Sequence, residues 1–101
     1  MKLHQLQYFC AACRNGNITR AAAELHVSQP SISMAIRELE NEFGILLLQR
    51  NNKGFEITRE GTYFYERATV LLEQADELNQ MMCDMGNQRK RINLGIPPMI
   101  G

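Results

Sequence analysis

The fold of this chain is decided by residues 17–44, NITRAAAELHVSQPSISMAIRELENEFG. Thr19 can accept a backbone N–H as the N-cap of a short helix over 20–25, whose alanines let another helix approach closely. Ser28 can cap a second helix, and Pro30 falls in the first turn of that helix, where its missing N–H costs no hydrogen bond. Two helices joined by so short a turn form a helix-turn-helix pattern.

Apolar spacing defines the helices around this turn. Apolar residues three and four apart predict a first helix over 2–14, which Asn-Gly-Asn at 15–17 stops. The same spacing predicts that the helix capped by Ser28 covers 29–43, with Gly44 as its left-handed C-terminal residue. The sequence therefore predicts three short helices before residue 45.

The hydrophobic period changes from helical to alternating after Gly44. Residues 45–50 and 55–57 are expected to form the two strands of a small hairpin, with 51–54 as its polar turn. This predicts a mainly helical domain that contains one hairpin.

A long helix is expected after the hairpin, with Thr58 as its N-cap and an end at Gly86 and Asn87, which makes it roughly 40 Å long. Seven of its residues, spaced alternately four and three apart, form an apolar seam: Phe64, Ala68, Leu71, Ala75, Leu78, Met82 and Met85. The short domain that precedes this helix cannot cover three heptads of such a stripe, so the seam predicts a homodimer.

Composition limits the class of protein. The chain has 101 residues, 45% of them hydrophobic, with 11 Lys and Arg against 11 Asp and Glu, which predicts one small folded domain. It has no apolar run near the ~20 residues of a membrane-spanning helix, and its three cysteines are too few for a disulfide scaffold. We expect a cytoplasmic protein with reduced thiols and no membrane partner. Because the net charge is zero, any contact with nucleic acid must depend on where the charges lie.

The charges in the helix over 29–43 are separated along its length. No acidic residue occurs from Gln29 to Arg37, whereas three glutamates fall in the last two turns. Only the N-terminal half therefore suits a groove lined by phosphates, and the positive end of the helix dipole also lies there. Gln29 can pair with the edge of an adenine, and Ser31 or Ser33 can contact a base or the backbone.

Residues outside this helix can add contacts on the same side. Four cations are candidates: Arg20, Arg50, Lys53 and Arg59. Arg50, in the hairpin, is the candidate for insertion along the minor groove, where narrow A/T-rich segments concentrate negative potential. The capping hydroxyls of Thr19 and Ser28 can also bind DNA.

Five runs of residues together resemble the LysR-type transcriptional regulators of bacteria: 17–33, 36–40, 43–44, 48–50 and 55–61. With matching spacing from residue 1, the resemblance covers residues 1 to 95. It implies a mainly α fold, a winged helix-turn-helix of three helices and a two-stranded wing, followed by a long linker helix that pairs with that of a partner.

The resemblance also implies how the chain is divided and what it does. Residues 1–58 would be the DNA-binding domain, 59–88 the dimerisation helix, and 89–101 a hinge and the first strand of a truncated effector-binding domain. Such a protein binds an interrupted inverted repeat of double-stranded DNA as a dimer, forms a tetramer at full length, and takes a small-molecule effector in the missing domain. No cofactor is expected in this part of the protein.

The DNA contacts of that family fall on a defined set of residues here: Gln29, Pro30, Ser31, Ser33, Arg37, Arg50 and Lys53. Met34 departs from the family pattern, because it cannot make the polar base contact that some members make at this position. Apolar contact with a thymine methyl group remains open to Met34.

Other functions account for less of the sequence. A coiled-coil interaction module without DNA binding explains the apolar seam but leaves the acid-free start of the helix over 29–43 without a reason. Cys10 and Cys13 lack further ligands at zinc-site spacing, so we interpret them as small core side chains and expect no metal site. No arrangement of nucleophile, base and acid is present, so we expect no catalytic residues and no enzyme.

Overall fold

A computed structural model of the protein describes residues 1–95. In chain order its elements are α1 (Leu3–Asn15), α2 (Ile18–Leu25), α3 (Gln29–Phe43), β1 (Leu48–Asn51), β2 (Gly54–Ile57) and α4 (Arg59–Gly95). The predicted class is confirmed: three helices, a two-stranded antiparallel wing formed by β1 and β2, and one long helix. Among the described helices, none is both long enough and apolar enough to cross a membrane.

One hydrophobic core holds the three short helices together. Its fully buried large side chains come from α1, from α3 and from the segment before β1: Phe9, Ile32, Leu39 and Leu47. The ring of Phe64, on α4, meets the ring of Phe9 edge to face at 5.3 Å, an arrangement that favours aromatic pairs. Ala21 and Ala22 are buried on α2, as close packing of the helix-turn-helix requires.

The caps of α2 and α3 differ in how well the sequence predicts them. Ser28 caps α3 as predicted, since its Oγ accepts the N–H of Ser31 at 3.3 Å. Thr19 is not the cap of α2, and that prediction is wrong. Asn17 has the extended backbone of an N-cap, and its Oδ1 accepts the N–H of Arg20 at 3.0 Å. Helix α2 therefore begins at Ile18, and Thr19 lies inside its first turn.

The first strand of the wing is shorter than predicted. Residues 45–47 connect α3 to β1 instead of extending the strand. Oε2 of Glu40 accepts the backbone N–H groups of Leu47 at 2.8 Å and Leu48 at 3.2 Å, so these donors bond to α3 and not to a strand. The half-buried carboxylate of Glu40 thereby fastens the base of the wing to α3.

Thr58 begins α4 as predicted. Its Oγ1 accepts the N–H of Gly61 at 2.9 Å and donates to the carbonyl of Leu46 at 2.6 Å. Gly61 is buried, and a Cβ at this position would overlap the carbonyl oxygen of Leu47 and lie 3.0 Å from Cγ2 of Ile57. The first turn of α4 therefore lies close to the backbone of residues 45–47, the connection between α3 and β1, and only glycine permits this approach.

The predicted end of α4 at Gly86 and Asn87 is wrong. The helix continues through Gly86 to Gly95, which makes it 37 residues and about 55 Å long. A glycine inside a helix costs only about 1 kcal/mol relative to alanine, so it does not by itself end a helix. The hinge and first strand predicted over 89–101 begin inside this helix: residues 89–95 are helical, and residues 96–101 lie outside the described part of the chain.

Candidate nucleic-acid interface

The start of α2, the start of α3 and the wing enclose one open groove. This recognition groove has a volume of about 260 Å³, and its walls carry five of the predicted DNA-binding residues: Thr19, Gln29, Ser33, Arg50 and Lys53. The sequence places these residues up to several tens of positions apart, and the fold brings them to one surface. Asn17 and Phe55 also line the groove, and neither was among the predicted site residues.

Gln29 is held by a residue of the preceding helix. Its Nε2 donates a hydrogen bond to Oγ1 of Thr19, and both side chains are exposed at the groove. A primary amide carries two N–H donors and one acceptor oxygen. With one N–H directed at Thr19, the other N–H and Oε1 remain to meet a base edge.

The first turn of α3 presents small polar groups. The hydroxyls of Ser28 and Ser31 lie 2.8 Å apart, and Pro30 is exposed between them in sequence. The hydroxyl oxygen of Ser28 therefore caps α3. Because Ser28 is exposed, this oxygen can still accept a second hydrogen bond from an external donor. Ser33 is half-buried where α3 faces the wing.

Two arginines flank the middle of α3. Arg37 and Arg50 are both exposed and line a small cavity between α3 and the wing, together with Ser33. Met34 is 60% exposed and lies by Lys2 and Tyr8, on the α1 side of the helix. The outward face of α3 therefore offers an apolar side chain on one flank and cations on the other.

The cations of this surface are not neutralised by neighbouring acids. In residues 1–89, carboxylates form ion pairs only with the N-terminal amine and with Arg14. Lys53 lies at the tip of the wing, where its backbone N–H donates to Oδ1 of Asn51 at 2.9 Å and fixes the turn. Arg37, Arg50 and Lys53 are thus left to bind an external anion.

The three glutamates at the C-terminal end of α3 bind groups from other parts of the fold. Glu38 accepts a hydrogen bond from Nε2 of Gln5 at 3.0 Å, Glu40 binds the base of the wing, and Glu42 pairs with the N-terminal amine at 2.7 Å. Each of the three carboxylates therefore binds a different part of the fold. Their position leaves the N-terminal half of α3 without negative charge.

Two of the four cations predicted outside α3 do not line the groove. Arg59 lines a different cavity with Phe43 and Tyr63, at the opposite end of α3 from Gln29, so the prediction that it approaches the same side is wrong. The sequence could not show this, because it depends on the angle at which α4 leaves the wing. Arg20 is exposed on α2 outside the residues that line the groove.

The cysteines and His26 have structural surroundings. Burial raises the pKa of Cys10, and burial raises the pKa of the Cys13 thiol to about 12. His26 ends α2 with φ 58°, in the turn that leads to α3. Within the described residues, no group of three or more His, Cys, Asp or Glu side chains could hold a metal ion.

The apolar seam of α4 divides into a covered and an open part. Ala68 is 2% exposed, so its prediction as a dimer contact is wrong. Phe64 is partly buried against the core, and both residues hold α4 to its own domain. Ala75 is half-buried. The remaining seam residues are exposed by 46 to 60%: Leu71, Leu78, Met82 and Met85.

The family model described as "Bacterial regulatory helix-turn-helix protein, lysR family" matches residues 3–62, which include all three short helices and the wing. The chain belongs to the LysR family. HcaR, the Hca operon transcriptional activator of Escherichia coli (strain K12), is 38% identical to this LysR-family chain over 98 residues, which are 97% of the chain and 33% of HcaR. BenM, an HTH-type transcriptional regulator of Acinetobacter baylyi, is 37% identical over 95 residues, which are 94% of the chain and 31% of BenM.

The LysR-family chain thus spans about a third of the length of these curated relatives, which are named as transcriptional regulators and not as enzymes. Solved structures agree with the fold. The complex of BenM_DBD with catB site 1 DNA matches with a TM-score of 0.80 at 37% identity, over 85% of this chain and 97% of that one. The CbnR_DBD–DNA complex matches with a TM-score of 0.78 at 38% identity, over 85% of this chain and 99% of that one.

Proposed function

We propose that this chain is the DNA-binding part of a LysR-type transcriptional regulator and that the recognition groove is its DNA-binding surface. The observation that carries the proposal is the groove itself: exposed amide and hydroxyl groups at the start of α3, with unpaired cations beside them and no acid in that half of the helix. Hydrogen-bonding groups suit base edges, and cations suit phosphates. The structures of BenM_DBD and CbnR_DBD in complex with DNA support this use of the fold.

The N-terminal half of α3 enters the major groove in this proposal. Gln29 pairs with an adenine edge, Ser31 and Ser33 contact bases or backbone, and Met34 meets a thymine methyl group. Pro30, at the first turn, packs on the backbone, and the exposed guanidinium of Arg37 binds a phosphate. The base contacts among these give the protein its sequence preference, and the backbone contacts fix its position.

The wing follows the flank of the site. Arg50 lies along the adjacent minor groove and Lys53, at the tip, contacts phosphate. Substitution Arg50→Ala should therefore weaken binding most on A/T-rich flanks, measured by anisotropy titration of duplexes that differ only in the flank. A loss that is the same on G/C-rich flanks would contradict the minor-groove contact.

The open part of the seam pairs two chains. Leu71, Leu78, Met82 and Met85 place four large apolar side chains in water, and a second α4 would cover them. Pairing presents two copies of α3 to successive major grooves, so the site is an interrupted inverted repeat. We assign DNA binding to residues 1–58 and dimerisation to 59–88, with 89–101 leading to an effector-binding domain.

Membership of the LysR family supports further inferences about regulation and location. We infer that the complete regulator binds a small-molecule effector in its C-terminal domain, forms a tetramer and acts in the cytoplasm, where the DNA of a bacterium lies.

Selection from a library of random duplex DNA tests the proposed function. The 101-residue chain should enrich an interrupted inverted repeat, and its affinity should fall steeply with salt because cations of the groove displace counterions. If the chain is instead an interaction module that uses only its coiled-coil seam, the selection will enrich no sequence. A variant with alanine at both Arg37 and Lys53 is the matched control and should lose affinity for all sequences alike.

A further inference from the structure

We infer that Thr19 is a positioning residue for Gln29, and that it sets sequence specificity without its own base contact. This inference rests on the proposed function. A hydrogen bond joins the two side chains across the helix-turn-helix, from the first turn of α3 to the first turn of α2.

The reason for a positioning residue lies in the flexibility of glutamine. A Gln side chain has three rotatable bonds, and an exposed one samples many rotamers, so its immobilisation on a base edge costs conformational entropy. In this protein the amide of Gln29 is exposed at the groove but is already anchored to the Thr19 hydroxyl. The entropy is lost on folding, before DNA arrives, so the amide is preorganised.

The anchor also leaves the correct groups free. Pairing with an adenine edge needs one N–H donor and one acceptor oxygen from the amide. Because Thr19 takes one N–H of Nε2, the other N–H and Oε1 are left for the base. The hydroxyl of Thr19 does not cap α2, because Asn17 is the N-cap of that helix.

The inference separates Thr19 from the other hydroxyls of the surface. The hydroxyls of Ser28 and Ser31 bond to each other, and that of Ser28 also accepts the backbone N–H of Ser31, so they order the start of α3 and not the amide of Gln29. Thr19 alone among these hydroxyls bonds to Gln29 within residues 1–89. A hydroxyl that contacted phosphate directly would act on every sequence equally, whereas one that orients Gln29 acts only through the base that Gln29 contacts.

A double-mutant cycle tests this. The duplex enriched by the wild-type chain, and a panel with each base pair of one half-site changed, are titrated by fluorescence anisotropy against wild type, Thr19→Val, Thr19→Ser, Gln29→Ala and the double variant Thr19→Val with Gln29→Ala. Valine keeps the shape of threonine and removes the hydroxyl, while serine keeps the hydroxyl and is the matched control. Thermal melts by circular dichroism verify that each variant is folded.

Thr19→Val should lose about three- to tenfold affinity on the enriched duplex, the entropy cost of one side chain that is no longer preorganised. Its discrimination should fall at one base pair per half-site, the one that Gln29→Ala also affects, and Thr19→Ser should behave as wild type. In the Gln29→Ala background, Thr19→Val should change nothing, because its effect passes through the amide.

Two results would overturn the inference. Equal losses from Thr19→Val with and without Gln29 would make Thr19 a direct DNA ligand, and unchanged binding by Thr19→Val would show that the anchor is unimportant. Failure of the proposed function is distinct, because the wild-type chain would then enrich no duplex at all.

Discussion

Replacing Gly61 by alanine should destabilise the whole domain, although alanine is the better helix former. The added Cβ would overlap the carbonyl oxygen of Leu47 and lie 3.0 Å from Cγ2 of Ile57. Neither neighbour is the end of a flexible side chain: one is backbone, and the other belongs to a strand of the wing. The first turn of α4 and the connection must therefore separate by about an ångström, at the usual cost of overpacking a core, ~1–3 kcal/mol.

Two smaller effects nearly cancel. The separation weakens the capping bond from the N–H of Gly61 to Thr58, which is 2.9 Å long, by about 1 kcal/mol. Alanine regains about 1 kcal/mol of helix propensity over glycine. The free energy of unfolding should thus fall by about 2 kcal/mol, which lowers Tm by roughly 10 °C in a domain of this size.

Gly86→Ala is the matched control, because a Cβ at Gly86 meets nothing within 4 Å and the residue lies inside α4. The ellipticity of Gly86→Ala at 222 nm should become slightly more negative, with no fall in Tm. Both variants are compared with wild type by thermal and urea unfolding followed by circular dichroism. If Gly61→Ala melts at the wild-type temperature, the close approach of α4 to the connection is refuted; if Gly86→Ala loses helix, the continuous course of α4 is refuted.

Three further predictions concern recognition, assembly and thiol chemistry. Gln29→Ala should reduce discrimination at one base pair per half-site by on the order of 1–3 kcal/mol in competitive anisotropy titrations, and equal losses on all sequences would contradict the base contact. Leu71→Asp combined with Leu78→Asp should yield monomers in sedimentation velocity, because two carboxylates would enter an apolar seam; a dimer that persists would exclude this interface. At pH 8 the folded chain should react rapidly with Ellman's reagent at Cys83 alone, since Cys83 is exposed while burial raises the pKa of both cysteines of α1, and all three thiols should react in denaturant.

Local patterns predict most of the fold, and the exceptions have local causes. Ser28, Gly44 and Thr58 were identified as the residues that begin or end helices because each has the right chemistry at a change of period. The prediction of Thr19 as the cap of α2 fails because Asn17 can also accept a backbone N–H, and only the backbone conformation decides between the two residues. The interpretation of Gly86 as a stop also failed, because a glycine ends a helix only when it adopts a left-handed conformation.

Long-range contacts account for what the sequence could not show about the site. The heptad pattern correctly places Ala68 on an apolar face, but the pattern is the same whether the face meets its own core or a second chain. Arg59 carries the right charge, yet the packing of the first turn of α4 places it beside Phe43. The two hydrogen bonds that Glu40 accepts from the backbone of Leu47 and Leu48 cannot be predicted from hydrophobic periodicity.

These two bonds have a consequence for how the protein would grip DNA. Because one carboxylate of α3 fastens the root of the wing, the helix and the wing cannot swing independently. Once either element docks, the other is held at a high local concentration beside its own groove, as in chelation of a metal by a rigid ligand. A duplex whose major and minor grooves do not match the fixed arrangement of α3 and the wing would lose one of the two contacts. The distance between the two grooves therefore also contributes to the choice of DNA site.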